Sequence, residues 1–223
     1  MKELVMYRNP VVESKVREFL EERVEYSTLS VKDKERVLVK LESGCKSCDL
    51  HYSGYSNIPS KINSDCKFLF IGRNPNKGEA QKNELLPLST IQGNTFNKYL
   101  EFLGIGPSEY SLINMCNCYS KGGRPVTQEE INKCITFRHL EVELMSKLRI
   151  IFPMGQDALK WIFGLNHPGV MQCVGEVYST QLYGRDLLII PIYHPSHIVL
   201  ERELAGEMEV YLKRLRKLIE EVR

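Results

Sequence analysis

The sequence of 223 residues has no appreciable excess of either charge: 30 Lys and Arg stand against 28 Asp and Glu, a net of +2. That balance neither demands nor excludes nucleic acid, because a local basic face can neutralise a few phosphates while the total stays near zero. No uninterrupted apolar run is long enough to span a bilayer. The first ten residues do not read as a signal peptide, since Lys2, Glu3 and Arg8 interrupt the apolar positions. A soluble, cytoplasmic protein with no membrane partner is expected. Internal repeats and low-complexity tracts are also missing. The seven cysteines are an odd number without a secretion signal, which argues against a disulfide framework and for metal ligation or plain burial. With 43% hydrophobic and 26% charged residues, the length suits one compact domain.

Val11–Tyr26 and Val31–Leu41 carry apolar residues at helical spacing, the second stopping at Gly44. Tyr52–Asp65, rich in Ser, Gly, Asn and Pro, reads as a loop. Lys67–Gly72 (KFLFIG) is a short apolar run ending at a turn, as a buried strand would be. Beyond it the pattern alternates. Phe96–Leu103 is helical, Ser111–Cys116 strand-like, and Thr127–Lys147 a long helix with a capping box from Thr127 and Glu130. Arg149–Pro153 is a strand and Asp157–Phe163 a short helix. Val177–Leu182 and Leu187–Ile192 are strands joined by a turn at 183–185, and a charged helix runs from Glu203 to the end. Alternating strands and helices imply a mainly parallel sheet covered on both faces, a three-layer α/β/α single domain. Ligands bind such sheets at the carboxyl ends of the strands.

Three strand ends carry candidate chemistry: Gly72-Arg73-Asn74-Pro75-Asn76, Asn114, and His194-Pro195-Ser196. Each has a structural alternative, since Gly-x-Asn-Pro is a good turn and Asn or His can satisfy local backbone groups. Their placement after three separate strands favours a shared site. Cys45 and Cys48 form CxxC, and Cys118 and Cys134 stand sixteen positions apart. Four thiolates suit tetrahedral zinc or an iron–sulfur cluster, and spacing alone does not choose. Cys66, Cys116 and Cys173 read as packed side chains, with Cys116 a weaker alternative ligand.

In order, the chain presents CKSCDLH, GRNPN, PLSTIQGNTFNKYLEFLGI, INMCNC, GGRPVTQEEINKC, PMGQDALKWI and PIYHPSHI. This series resembles the iron–sulfur uracil-DNA glycosylases of bacteria and archaea, usually called family 4, from about Lys32 to Tyr211. Residues 1–31 then form an N-terminal helical extension and 32–223 the glycosylase-like domain. The resemblance implies a base-excision repair enzyme acting as a monomer on a deaminated base flipped out of DNA. It implies a [4Fe-4S] cluster on Cys45, Cys48, Cys118 and Cys134, with a structural role. Asn114 would read the imide edge of uracil. His194 would donate to the uracil O2 as the glycosidic bond breaks, and the loop after it would press into the duplex. Gly72, Arg73, Pro75, Leu88 and Ser196 complete the implied substrate-contacting set.

The chain departs from the family twice. Gly-Glu-x-Pro-Gly becomes Gly72-Arg73-Asn74-Pro75-Asn76, which puts a guanidinium where a carboxylate is expected. Asn74 matches the asparagine of mismatch-specific and single-strand-selective relatives and would orient water without deprotonating it. A stacking phenylalanine becomes Leu88, which lacks a π-face. Tyr193 is a candidate replacement for that ring and Glu79 for the carboxylate. A non-catalytic or altered-specificity relative that keeps fold and cluster is the alternative these departures favour.

Overall fold

The computed structural model describes residues 28–163, 169–182 and 184–223. The helix expected over Val11–Tyr26 lies outside the described residues, as does Tyr183 in the expected turn.

The first described helix, α1 (Val31–Ser43), opens on Ser30, whose side chain accepts from the Asp33 amide, and closes at Gly44. A 3-10 turn (Asp49–Tyr52) follows. Then come β1 (Phe68–Gly72), α2 (Lys77–Lys82), α3 (Ile91–Leu103), β2 (Tyr110–Asn114), α4 (Gln128–Leu144), β3 (Ile150–Pro153) and α5 (Gln156–Phe163). The chain ends with α6 (Val170–Cys173), β4 (Tyr178–Leu182), β5 (Arg185–Ile189), α7 (Pro195–Leu200) and α8 (Leu204–Glu221). The strands pair in the order β2-β1-β3-β5-β4. All neighbours run parallel except β4 against β5.

Residues alternate across each strand, so both faces of the sheet must be covered. Leu69, Ile71, Ile113 and Ile151 pack with Ile131 and Ile135 of α4 and Trp161 of α5. Phe68, Phe70, Leu112 and Phe152 pack on the other face with Phe96 and Leu100 of α3 and Leu212 and Leu215 of α8. The result is the three-layer arrangement expected from the alternating pattern. Helix α1 attaches outside it, Leu38 meeting Leu140 of α4.

Thr127 and Glu130 form the expected capping box, and Glu130 also binds Arg124, which holds its carboxyl down at about 2. Helices α2, α6 and α7 lie where the sequence pattern gives no helix. Asn76 caps α2 reciprocally with Glu79. Pro195 starts α7, so the segment after His194 is helical and not a loop. Helix α3 begins at Ile91, five residues before the expected start, because Thr90 caps it through the Gly93 amide. Glycine is required at 93, since a Cβ there would lie 2.0 Å from the Pro87 carbonyl oxygen.

One polar assembly crosses the layers. The fully buried guanidinium of Arg138 donates to the main-chain carbonyl of Asn114, to Asn117 Oδ1 at 2.7 Å and to the carboxyls of Glu42 and Glu141. Burial pushes the Glu141 carboxyl well above the usual range. The second Glu42 oxygen accepts from the Ser60 amide at 2.9 Å. Removing one partner of such a network strands the others away from water. Arg138→Met is therefore expected to cost about 3–5 kcal/mol, read as a lowered urea midpoint. A loss below about 1 kcal/mol would mean that the network holds nothing together.

Candidate active site

The carboxyl ends of β1 and β2 place Gly72 directly opposite Asn114 in the sheet register. A Cβ on Gly72 would stand 2.3 Å from Asn114 Oδ1 and 3.6 Å from His194 Nε2. The absent side chain thus makes room for a carboxamide and an imidazole to converge over one backbone position. Two residues from distant parts of the chain, 114 and 194, meet there.

His194 is held by the start of α7. Its Nδ1 lies 3.2 Å from the Ser196 amide and 2.8 Å from Ser196 Oγ. An amide can only donate, so Nδ1 accepts and the neutral ring carries its proton on Nε2. Desolvation of the ring, with the Arg73 guanidinium adding repulsion, lowers its pKa from 6.5 to about 4. At neutral pH the ring is an uncharged donor through Nε2, on the side that faces Gly72.

A cavity of about 390 Å³ opens beside this point. Arg73, Asn74, Pro75, His194 and Ser196 line it, as do Asn76, Lys77, Glu79, Tyr119, Gln156 and Asp157. Arg73 is exposed. Its Nε donates to Asn74 Oδ1 at 3.0 Å and stands 3.8 Å from Asp157 Oδ2. Asn74 Nδ2 donates to the Pro75 carbonyl at 3.1 Å. Glu79 is buried, and burial raises its pKa. Its two oxygens accept from the Asn76 and Leu86 amides at 2.9 and 2.8 Å. That carboxyl joins two loops and is not available as a base. Leu86 sits at φ 43°, an uncommon conformation for leucine, next to this anchor.

Leu88 is not brought to the cavity. It is 67% exposed and lines a separate groove with Pro59, Asn83 and Leu100. Tyr193 packs in the core, its ring 5.2 Å from that of His197. The aromatic on the cavity wall is Tyr119, braced edge-on by Tyr55 at 5.6 Å and 87°. Sequence reading passed over Tyr119 and Asp157. Tyr119 follows a predicted ligand, and Asp157 reads as an ordinary first-turn acidic residue.

Cys45, Cys48, Cys118 and Cys134 all line one small second cavity, together with Glu42, Asn117 and Lys133. Burial and the neighbouring Cys134, Cys48 and Cys45 push Cys118 up to about 12. The Cys116 thiol, which does not line this cavity, donates to Cys134 and draws the Cys134 pKa down. Cys66 and Cys173 are buried elsewhere. Among the described residues no group of three or more His, Cys, Asp or Glu side chains is set to hold a single metal ion. Four thiols around one cavity are a donor set of the kind that holds zinc or an iron–sulfur centre.

The sequence is similar to those of known proteins. The profile of the "Uracil DNA glycosylase superfamily" matches residues 59–218. A "Type-4 uracil-DNA glycosylase" of Archaeoglobus fulgidus is 26% identical over 184 residues, covering 81% of this chain and 91% of that one. Proteins of the same name from Sulfurisphaera tokodaii and Saccharolobus solfataricus are each 24% identical, over 78% and 68% of this chain and 80% and 71% of theirs. With the matched region spanning the sheet, the cavity and His194, the chain belongs to the uracil-DNA glycosylase superfamily.

Proposed function

We propose that the protein is a DNA glycosylase that hydrolyses the N-glycosidic bond of uracil, or another deaminated base, and leaves an abasic site. The carrying observation is the convergence of Asn114 and the neutral His194 Nε2 over Gly72. An asparagine carboxamide offers both a donor and an acceptor, which match the imide edge of uracil. As the bond from N1 to C1′ breaks, charge accumulates on the uracil oxygen. A donor already aimed at that position lowers the barrier, and a neutral imidazole does so without giving up its proton. Asn74 faces the same cavity and is suited to hold the attacking water. Tyr119 supplies a π-face for the base that Leu88 does not. Lys77 on the cavity wall and exposed Lys121 nearby are placed to meet phosphates. Leu200, 79% exposed at the end of α7, is an apolar wedge suited to a vacated base position.

We further propose that Cys45, Cys48, Cys118 and Cys134 hold a [4Fe-4S] cluster. Such a group would cross-link the segment after α1, the segment after β2 and helix α4, supplying rigidity beside the DNA-facing cavity. The protein would act as a cytoplasmic monomer. Arg73 and the displaced Leu88 favour a changed base preference over the usual uracil enzyme, so the assay must span several lesions.

Incubation with DNA containing uracil, hypoxanthine or xanthine, followed by alkali, should cut the strand at the lesion; no cleavage with any of the three at enzyme excess would overturn the reading. His194→Ala should slow single-turnover excision about 10²–10³-fold. Gly72→Ala should also slow excision while the fold persists by circular dichroism, because its Cβ displaces the Asn114 carboxamide. Since the fold lowers the His194 pKa from 6.5 to about 4, stability from this group is complete above pH 6.5. It falls as the pH drops from there toward 4, where the unfolded chain binds the proton first. Excision should therefore show no limb near pH 6.5, and one there would contradict the neutral-donor role. Anaerobically purified protein should absorb near about 400 nm; Cys118→Ser should lose that band with its iron, whereas Cys116→Ser should keep both.

A further inference from the structure

Two carboxylates line the cavity. Glu79 has both oxygens committed to main-chain amides, so it cannot meet a substrate without releasing two loops. Asp157 has no such commitment. It belongs to the first turn of α5 and is half-buried. Arg73 Nε stands 3.8 Å from one of its oxygens and Lys160 Nζ 4.0 Å from the other. Both are ion-pair separations, too long for hydrogen bonds. Gly155, at φ 91°, turns the chain sharply between β3 and α5. That turn delivers Asp157 to the same sheet edge as Gly72 and Asn114, on the strand next to β1.

Hydrolysis of a glycosidic bond places positive charge on the sugar and requires a water on C1′. A guanidinium opposes that charge and cannot accept a proton. The residue after Gly72 is Arg73, so the loop that follows β1 supplies no free carboxylate. We propose that Asp157, reaching the cavity from α5, is the catalytic carboxylate of this site, and that Arg73 restrains it between turnovers. This rests on the glycosylase reading above. The water oxygen bonds to C1′ as the N1–C1′ bond breaks, and the bonding pair leaves on the uracil, where His194 Nε2–H meets it. One water proton passes to Asp157 and on to solvent, and the uracil anion takes a proton from solvent.

The test compares Asp157→Asn and Arg73→Gln on single-stranded oligonucleotides bearing either of two abasic analogues. One is a protonated pyrrolidine and the other a neutral tetrahydrofuran, with binding read by fluorescence anisotropy. Asp157→Asn should reduce the preference for the cationic analogue about tenfold, and Arg73→Gln should increase it. The signature of a carboxylate that faces the sugar is that Asp157→Asn lowers the preference even in the Arg73→Gln background. If Asp157 only anchors Arg73, Asp157→Asn has no effect on the preference once Arg73 is glutamine, and the proposal falls. It also falls if Asp157→Asn leaves the preference unchanged. With uracil-containing DNA, Asp157→Asn should slow single-turnover excision about 10²-fold while tetrahydrofuran binding is retained; an unchanged rate overturns the proposal. Should the wild-type protein excise no base, the glycosylase reading fails, and the analogue preference still decides whether Asp157 faces the sugar.

Discussion

The buried guanidinium of Arg138 is the constraint on which the working parts of this molecule depend. It binds the main-chain carbonyl of Asn114, the side chain of Asn117 and two carboxyls, with no exposure to solvent. Three of these partners lead to the cysteine cavity or to the cluster of Asn114 and His194. Glu42 lies three residues before Cys45 on the exit from α1. Asn117 immediately precedes Cys118. Cys134 is one helical turn from Arg138 on the same face of α4. The cysteine cavity and Asn114, the residue we propose to read the base, are thus hung on one charged group. A buried ion pair is a weak source of net stability, but losing a partner is severe. Such a group therefore imposes one geometry on everything attached to it.

The active-site cavity is governed by a different balance, in which most of its charges are restrained. His194 is kept neutral by desolvation and by the nearby Arg73. Glu79 is spent on two backbone amides. Arg73 is drawn along the rim by Asn74 and Asp157. A guanidinium after Gly72 would oppose a sugar cation if it pointed inward. The Asp157 carboxylate gives it another direction. The substitution that looks most damaging in the linear sequence is accompanied in space by an acidic partner from a separate helix.

Much of the fold was legible because its signals are local. The apolar run at Phe68–Gly72, the Thr127–Glu130 box and the Gly44 stop are each written within a few residues. The short helices α2 and α7 were not, since six residues carry too little periodicity to separate them from turns. Their caps, Asn76 with Glu79 and His194 with Ser196, depend on side-chain directions that spacing does not reveal. The site divided along the same line. Gly72, Asn114 and His194 were recognisable as strand ends and do converge. Leu88 kept its sequence position but lies in another groove, and Tyr193 faces the core. Tyr119 and Asp157 carried no motif of their own.

By itself the sequence determined the order of strands and helices, the three strand ends that meet, and the four cysteines that gather. Those features follow from hydrophobic periodicity and from residue types whose chemistry is restricted. Only the tertiary structure decided which charges face one another. The Arg138 assembly joins residues 42, 114, 117, 138 and 141, and the Arg73–Asp157 pair joins β1 to α5. An electrostatic interaction depends on distance and burial in three dimensions, and neither is encoded in the spacing of residues along the chain.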